Sequence, residues 1–104
     1  WDVSSVIEME GMFYNSSFNA DISNWDVSSV TQMNSMFTES SFNGDISNWD
    51  VSSVTQMDAM FYANSSFNQN LSSWNVTNVR NCSSFSGGAL NWSLPKPNFT
   101  NCSE

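Results

Sequence analysis

The sequence predicts an α/β solenoid, a stack of about four strand-plus-short-helix coils with a C-terminal cap, on three observations. Tryptophans recur at Trp1, Trp25, Trp49 and Trp74, at spacings of 24, 24 and 25 residues. The text after each is nearly the same: WDVSSVIEMEGMFYNSSFNADISN, WDVSSVTQMNSMFTESSFNGDISN, WDVSSVTQMDAMFYANSSFNQNLSS, then WNVTNVRNCSSFSGG, where the pattern dissolves. Each unit is too short to bury its own Trp, Val, Met and Phe, so copies must stack to share one core. Repeats 1 to 4 start at these tryptophans; residues 1–85 are expected to form the repeat body and 86–104 a disulfide-pinned cap.

Within a repeat, Ile46, Trp49, Val51 and Val54 follow the leucine-rich-repeat spacing L-x-x-L-x-L-x-x-N, with Val in the place of Asn. Trp49 and Val51, two apart, predict a short strand with one face inward. Ser53 to Gln56 has the form of a capping box, repeated at Ser29 to Gln32 and Ser5 to Glu8, so a helix is expected to start there. Val54, Met57 and Phe61 then fall at i, i+3 and i+7 with Met60 alongside, one apolar stripe on a helix of about two to three turns. Ser65-Ser66-Phe67-Asn68 reads as a loop anchored by its single ring. The extra residue of repeat 3, around Ala63 and Asn64, is expected at a surface corner between elements.

Ten acidic residues face only Arg80 and Lys96, a net charge of −8, which argues against nucleic acid and anionic membrane surfaces as partners. No stretch of about 18 apolar residues exists, so direct membrane insertion is not expected. The opening at Trp1, without an initiator Met or a leader, leads us to expect a processed or excised part of a longer chain. The chain has no His, which removes the usual general base, the imidazole metal ligand and every Ser-His-Asp arrangement. Lys96, the only Lys, lies between two prolines, and Asp21, Asp45 and Asp58 recur in equivalent settings rather than the contrasting ones acid–base catalysis needs. No enzyme is expected.

Asn-x-Ser/Thr acceptors for N-glycosylation occur at Asn15, Asn64, Asn70, Asn75, Asn81, Asn91, Asn98 and Asn101. From Asn70 onward every Asn except Asn78 begins one, which favours a eukaryotic secretory route over chance. Asn91 and Asn98 lie in the non-repeat tail and Asn75 between two core positions, whereas Asn81 and Asn101 each precede a Cys. Two cysteines alone read as a disulfide or as two buried thiols, and the secretory route favours a Cys82 to Cys102 disulfide. Cys82 takes the column of Met9, Met33 and Met57 and so points to the core edge.

The text FNGDISNWDVSSVTQMDAMF, Phe42 to Phe61, resembles the surface-protein repeat of mycoplasma-type lipoproteins and of bacterial and protist surface proteins, relatives of BspA-like leucine-rich repeats. The resemblance covers residues 1 to about 85. It implies an extracellular or cell-surface location and a structural or adhesive role, with no catalytic residues to carry over. In repeat 4, Asn75 departs from the Asp of Asp2, Asp26 and Asp50, and Phe85 from the Met of Met12, Met36 and Met60.

The ladder of Asp2, Asp26 and Asp50 brings like charges together, since adjacent coils lie about 4.8 Å apart. Ser hydroxyls and backbone N–H groups at the turn are the first compensation to expect. Ca²⁺ held between coils by these Asp oxygens, with Asp21 and Asp45 as further ligands, is the alternative. The leading reading is a secreted, glycosylated structural or adhesive repeat protein that self-associates or meets a surface partner. The runner-up is a calcium-dependent or carbohydrate-binding surface module. An ice-binding face is disfavoured because only Thr31 and Thr55 stack. Trp1, Val3, Val6, Met9 and Phe13 begin an uncapped coil, so either earlier repeats or another subunit is expected to cover it. In the second case head-to-tail contacts would build fibres.

Overall fold

An Asp and a Ser two residues apart set the first turn of repeats 1 to 3, and Asn75 and Thr77 that of repeat 4. Asp26 Oδ1 accepts both the N–H of Ser28 at 3.0 Å and its hydroxyl at 2.6 Å, and the N–H of Val30 closes onto Val27 O. Asp2 and Asp50 act alike on Ser4 and Ser52. The capping-box reading is thus corrected: a side-chain-closed turn, rather than a helix N-terminus, stands there.

In the computed structural model, in which residues 2–104 are described, no helix and no strand occurs among those residues. Regular pairing is confined to isolated parallel bridges from Glu8 to Gln32, Gln32 to Gln56 and Gln56 to Asn81. The α/β solenoid of leucine-rich-repeat-like, strand-plus-helix coils is therefore overturned. The chain is a mostly coil-and-turn molecule measuring 32 × 31 × 21 Å.

Backbone conformation explains the missing helix. Ala59 and Ala63 sit at φ 54° and 56°, Ser35 and Glu39 at 58° and 55°, and Gly11 and Asn15 at 61° and 51°, all incompatible with a right-handed helix. Positive φ at every fourth residue turns alternate N–H groups sideways. Met33, Ser35, Phe37 and Glu39 donate to Gln56, Asp58, Met60 and Tyr62 of the next repeat at 2.8 to 3.0 Å. Between them, Met36 and Thr38 close turns onto Met33 and Ser35. Repeat 1 meets repeat 2, and repeat 3 meets repeat 4, through the same pattern. Each left-handed non-Gly residue costs of order 1 kcal/mol, offset by an inter-repeat hydrogen bond and the burial it allows.

The apolar side chains line up in columns through one core. Phe13, Phe37 and Phe61 stack at 5.6 and 5.3 Å, and Phe18, Phe42 and Phe67 at 6.4 and 6.2 Å. Met33, Met36, Met57 and Met60 are fully buried beside them. The core outlasts the repeating text: Trp92 lies 4.8 Å from Phe67, and Phe99 lies 5.0 Å from Phe85. Trp1, expected to start the first coil, lies outside the described residues.

The extra residue of repeat 3 departs from its expected surface corner. Asn64 is fully buried. Its amide donates to Phe42 O at 3.2 Å, and its Oδ1 accepts the N–H groups of Ser66 and Phe67 at 2.9 Å. In repeats 1 and 2 a Ser hydroxyl takes the N–H of the Phe two residues on, at Ser16 to Phe18 and Ser40 to Phe42. The longer Asn reaches across the added residue to bind the same group.

Candidate functional site

Two columns of side-chain-closed turns run along the molecule. One holds Asp2, Asp26, Asp50 and Asn75; the other holds Asp21, Asp45 and Asn70. The hydroxyl of the Ser two residues on, and then its N–H, holds each of these Asp carboxyls below the ordinary range. Asp50 and Asp2 act on Asp26 in the opposite sense, as does Asp21 on Asp45, and neither outweighs the hydrogen bonds. The structure thus brings the proposed calcium ligands Asp2, Asp26 and Asp50 into one exposed column and gives each a Ser partner. Among the described residues, no group of three or more His, Cys, Asp or Glu is placed to hold a metal ion.

Beside the second column lies a feature the sequence reading missed. The Asn after each Phe forms a ladder: Asn19 Oδ1 accepts the N–H of Asn43 at 3.0 Å, and Asn43 Oδ1 that of Asn68 at 2.7 Å. Asn68 Oδ1 accepts those of Ser93 and Leu94. An Asn following Phe18, Phe42 and Phe67 was the available signal. Asn19, Asp21, Asn43, Asp45 and Asn48 line an open groove of about 470 Å³. Next to it, Phe18, Ile22 and Trp25 line a hollow of about 250 Å³ that shares Ala20 and Asp21 with the groove. Amide and carboxylate groups beside aromatic rings can pair sugar hydroxyls and cover a sugar face.

The glycosylation acceptors divide by environment. Asn15, Asn70, Asn75, Asn91 and Asn98 are exposed, while Asn81 is half-buried with its Oδ1 on the N–H of Ser83. The amides of Asn91 and Asn101 donate to Ser65 O and Thr77 O. Asn64 corrects the expectation placed on it, because a fully buried side chain with its amide engaged leaves no room for a glycan. Asn70 and Asn75 close turns on Ser72 and Thr77 as the Asp residues do elsewhere, so the turn itself generates the acceptor triplet.

At the C-terminal end, Cys82 and Cys102 are disulfide-bonded, with Cα atoms 5.9 Å apart. Cys82 is fully buried in the column of Met33 and Met57. The Glu104 carboxylate accepts the N–H of Ser86 at 2.7 Å and also its hydroxyl. Lys96 lies 5.6 Å over the ring of Trp92.

Residues 1–96 match the family described as Mycoplasma protein of unknown function, DUF285. No curated protein and no solved structure matches the chain.

Proposed function

The chain belongs to this Mycoplasma family, and on that premise we propose that it is an extracellular structural or adhesive repeat module, N-glycosylated and without catalytic chemistry of its own. One observation carries the reading: the same side chains and hydrogen bonds recur at each repeat junction, so the conserved pattern within the chain serves pairing between repeats. Secretion draws support from the disulfide and from the exposed acceptors. We keep kinship with BspA-like leucine-rich repeats as a proposal about descent, supported by the spacing of Ile46, Trp49, Val51 and Val54. The test is a thermal melt: an unfolding midpoint unmoved by EDTA, Ca²⁺ or a glycan panel supports the structural role, and a ligand-dependent rise overturns it.

A second reading is favoured by the groove at Asp21 and Asp45, whose amides and carboxylates adjoin Phe18 and Trp25. There the module would bind a neutral carbohydrate, with or without calcium. Binding to a glycan that Asp45→Asn abolishes, a change that keeps the turn acceptor as Asn70 does in the same column, would establish it.

A further inference from the structure

One side chain of the asparagine ladder stands in a setting that its two equivalents lack. Asn19, Asn43 and Asn68 share a column, and the Oδ1 of each accepts N–H groups from the next level of the stack. Asn43 alone is followed by glycine, in the only Asn-Gly pair of the chain, whereas Ala20 and Gln69 follow the other two. The packing requires that glycine. A Cβ on Gly44 would lie 2.6 Å from Phe42 Cζ, and the Phe42 ring is fully buried between Phe18 and Phe67.

Asn43 also receives a donor that its equivalents lack. The N–H of Asn68 meets its Oδ1 at 2.7 Å. The Gln69 side-chain amide reaches back from the same repeat and donates to Asn43 O at 2.9 Å and to Asn43 Oδ1 at 3.3 Å. Asn19 Oδ1 accepts one N–H and no side-chain amide, because Gly44 stands where Gln69 would reach from. Asn68 Oδ1 accepts two N–H groups, but the side chain of Gln69 follows it. The N–H of Gly44 and the Nδ2 of Asn43 have no hydrogen-bond partner among the described residues.

We propose that Asn43 is a site of self-modification, at which the chain closes to a succinimide and reopens to aspartyl and isoaspartyl forms with water as the only co-reactant. Gly44 N attacks Asn43 Cγ. The N–Cγ bond forms, the Cγ–Nδ2 bond breaks, and Nδ2 leaves as ammonia with the proton that Gly44 N gives up. Water then adds to either ring carbonyl and opens the ring, with no oxidation or reduction at any step. The Asn68 N–H and the Gln69 amide point at the oxygen on which negative charge develops as Cγ becomes tetrahedral. The bond from Gln69 to Asn43 O polarises the peptide group whose N–H must be lost. Gly44 leaves the approach to that nitrogen open. The aspartyl product keeps an acceptor for the Asn68 N–H and adds a charge to the groove that Asp21 and Asp45 line. The isoaspartyl product routes the main chain through Cγ and disturbs the ladder between repeats 2 and 3. The inference is independent of the structural and carbohydrate readings.

The test incubates the full chain, disulfide intact, in mildly alkaline buffer made with heavy-oxygen water, either folded or unfolded in guanidinium chloride, and locates the label by peptide mass spectrometry. We expect labelled aspartyl and isoaspartyl product at Asn43 ahead of every other Asn, with Asn19 and Asn68 unchanged. The folded chain should react faster, since unfolding removes both donors. Gln69→Met keeps the length of the side chain without its amide and should slow the folded chain several-fold. The effect is smaller than the loss of a donor in a water-excluded enzyme site because this ladder is exposed. If Gln69→Met fails to fold, the ratio of folded to unfolded rates in the parent still decides. A parent that reacts at Asn43 no faster folded than unfolded, equal reaction at Asn19, or a folded Gln69→Met chain at the parental rate would overturn the inference.

Discussion

Trp49 donates its indole N–H to the carbonyl of Ile22, 27 residues earlier, at 3.1 Å, and both side chains are buried. Trp74 does the same to Ile46 at 3.0 Å, and Trp92 to Gln69. Trp49 and Trp74 therefore each tie the start of their own repeat to the turn that closes the repeat two before it, by a directed bond as well as by area, and Trp92 extends the pattern into the tail. Ile22 O also accepts the N–H of Trp25, so removing the indole leaves it one partner. Trp49→Phe should cost about 1–2 kcal/mol, and Trp49→Ala about 3–5 kcal/mol, in urea unfolding. An unchanged midpoint for Trp49→Phe would show that this bond contributes nothing.

Asn64 should be among the most sensitive polar positions. Asn64→Ala strands the N–H of Phe67 and the carbonyl of Phe42 in a buried setting, at about 1–3 kcal/mol for each group left unpaired, while the N–H of exposed Ser66 can turn to water. A midpoint shift no larger than that of the exposed control Asn70→Ala would contradict this placement.

The pairing columns were legible in the sequence, and the backbone that connects them was not. Trp, Val, Met and Phe recurring at fixed spacing located the core, and Cys82 in a Met column located the disulfide. The helix failed because Val54, Met57, Met60 and Phe61 are buried equally well by a chain of turns whose alternate N–H groups pair with the next repeat. The discriminating signal lay across repeats rather than within one. Gly11, Ser35, Ala59 and Ser84 share one column and Asn15, Glu39, Ala63 and Gly88 another, and a Gly in each marks the left-handed conformation that Ala and Ser hide. Acceptor triplets misled at Asn64 for a related reason: an Asn that closes a turn on a following Ser resembles a glycan site whether exposed or buried.

Acid should loosen the molecule through its Asp columns. Each of the five carboxyls has a folded pKa below its unfolded value, so the stability it adds is present above the unfolded value and is lost as pH falls through the folded one. The melting temperature should hold from about pH 7 to 5 and fall below about pH 4. Asp26→Asn keeps the turn acceptor, as Asn75 does, and removes the charge between Asp2 and Asp50, so its melt should depend less on pH. A variant profile parallel to the parent's would contradict the assignment.

Glycan occupancy should follow exposure. In material from a eukaryotic secretory host, peptide mapping should find sugar at Asn98 and at one or both of Asn70 and Asn75, and none at Asn64. Sugar on Asn64 of folded protein would contradict its burial. A bare chain at every other acceptor would remove the glycosylation part of the proposal.

Amide hydrogen exchange in the central repeats tests most directly that the repeats pair through alternate N–H groups of a turn-built chain. Met57 and Ala59 donate to Asn81 and Ser83 of the next repeat, while the N–H of Asp58 between them has no acceptor among the described residues, and Asn34 holds the same place in repeat 2. Met33, Ser35, Met57 and Ala59 should exchange slowly and together, and Asn34 and Asp58 orders of magnitude faster. Continuous protection from Met57 through Phe61, Asp58 included, would restore the helix and contradict the account.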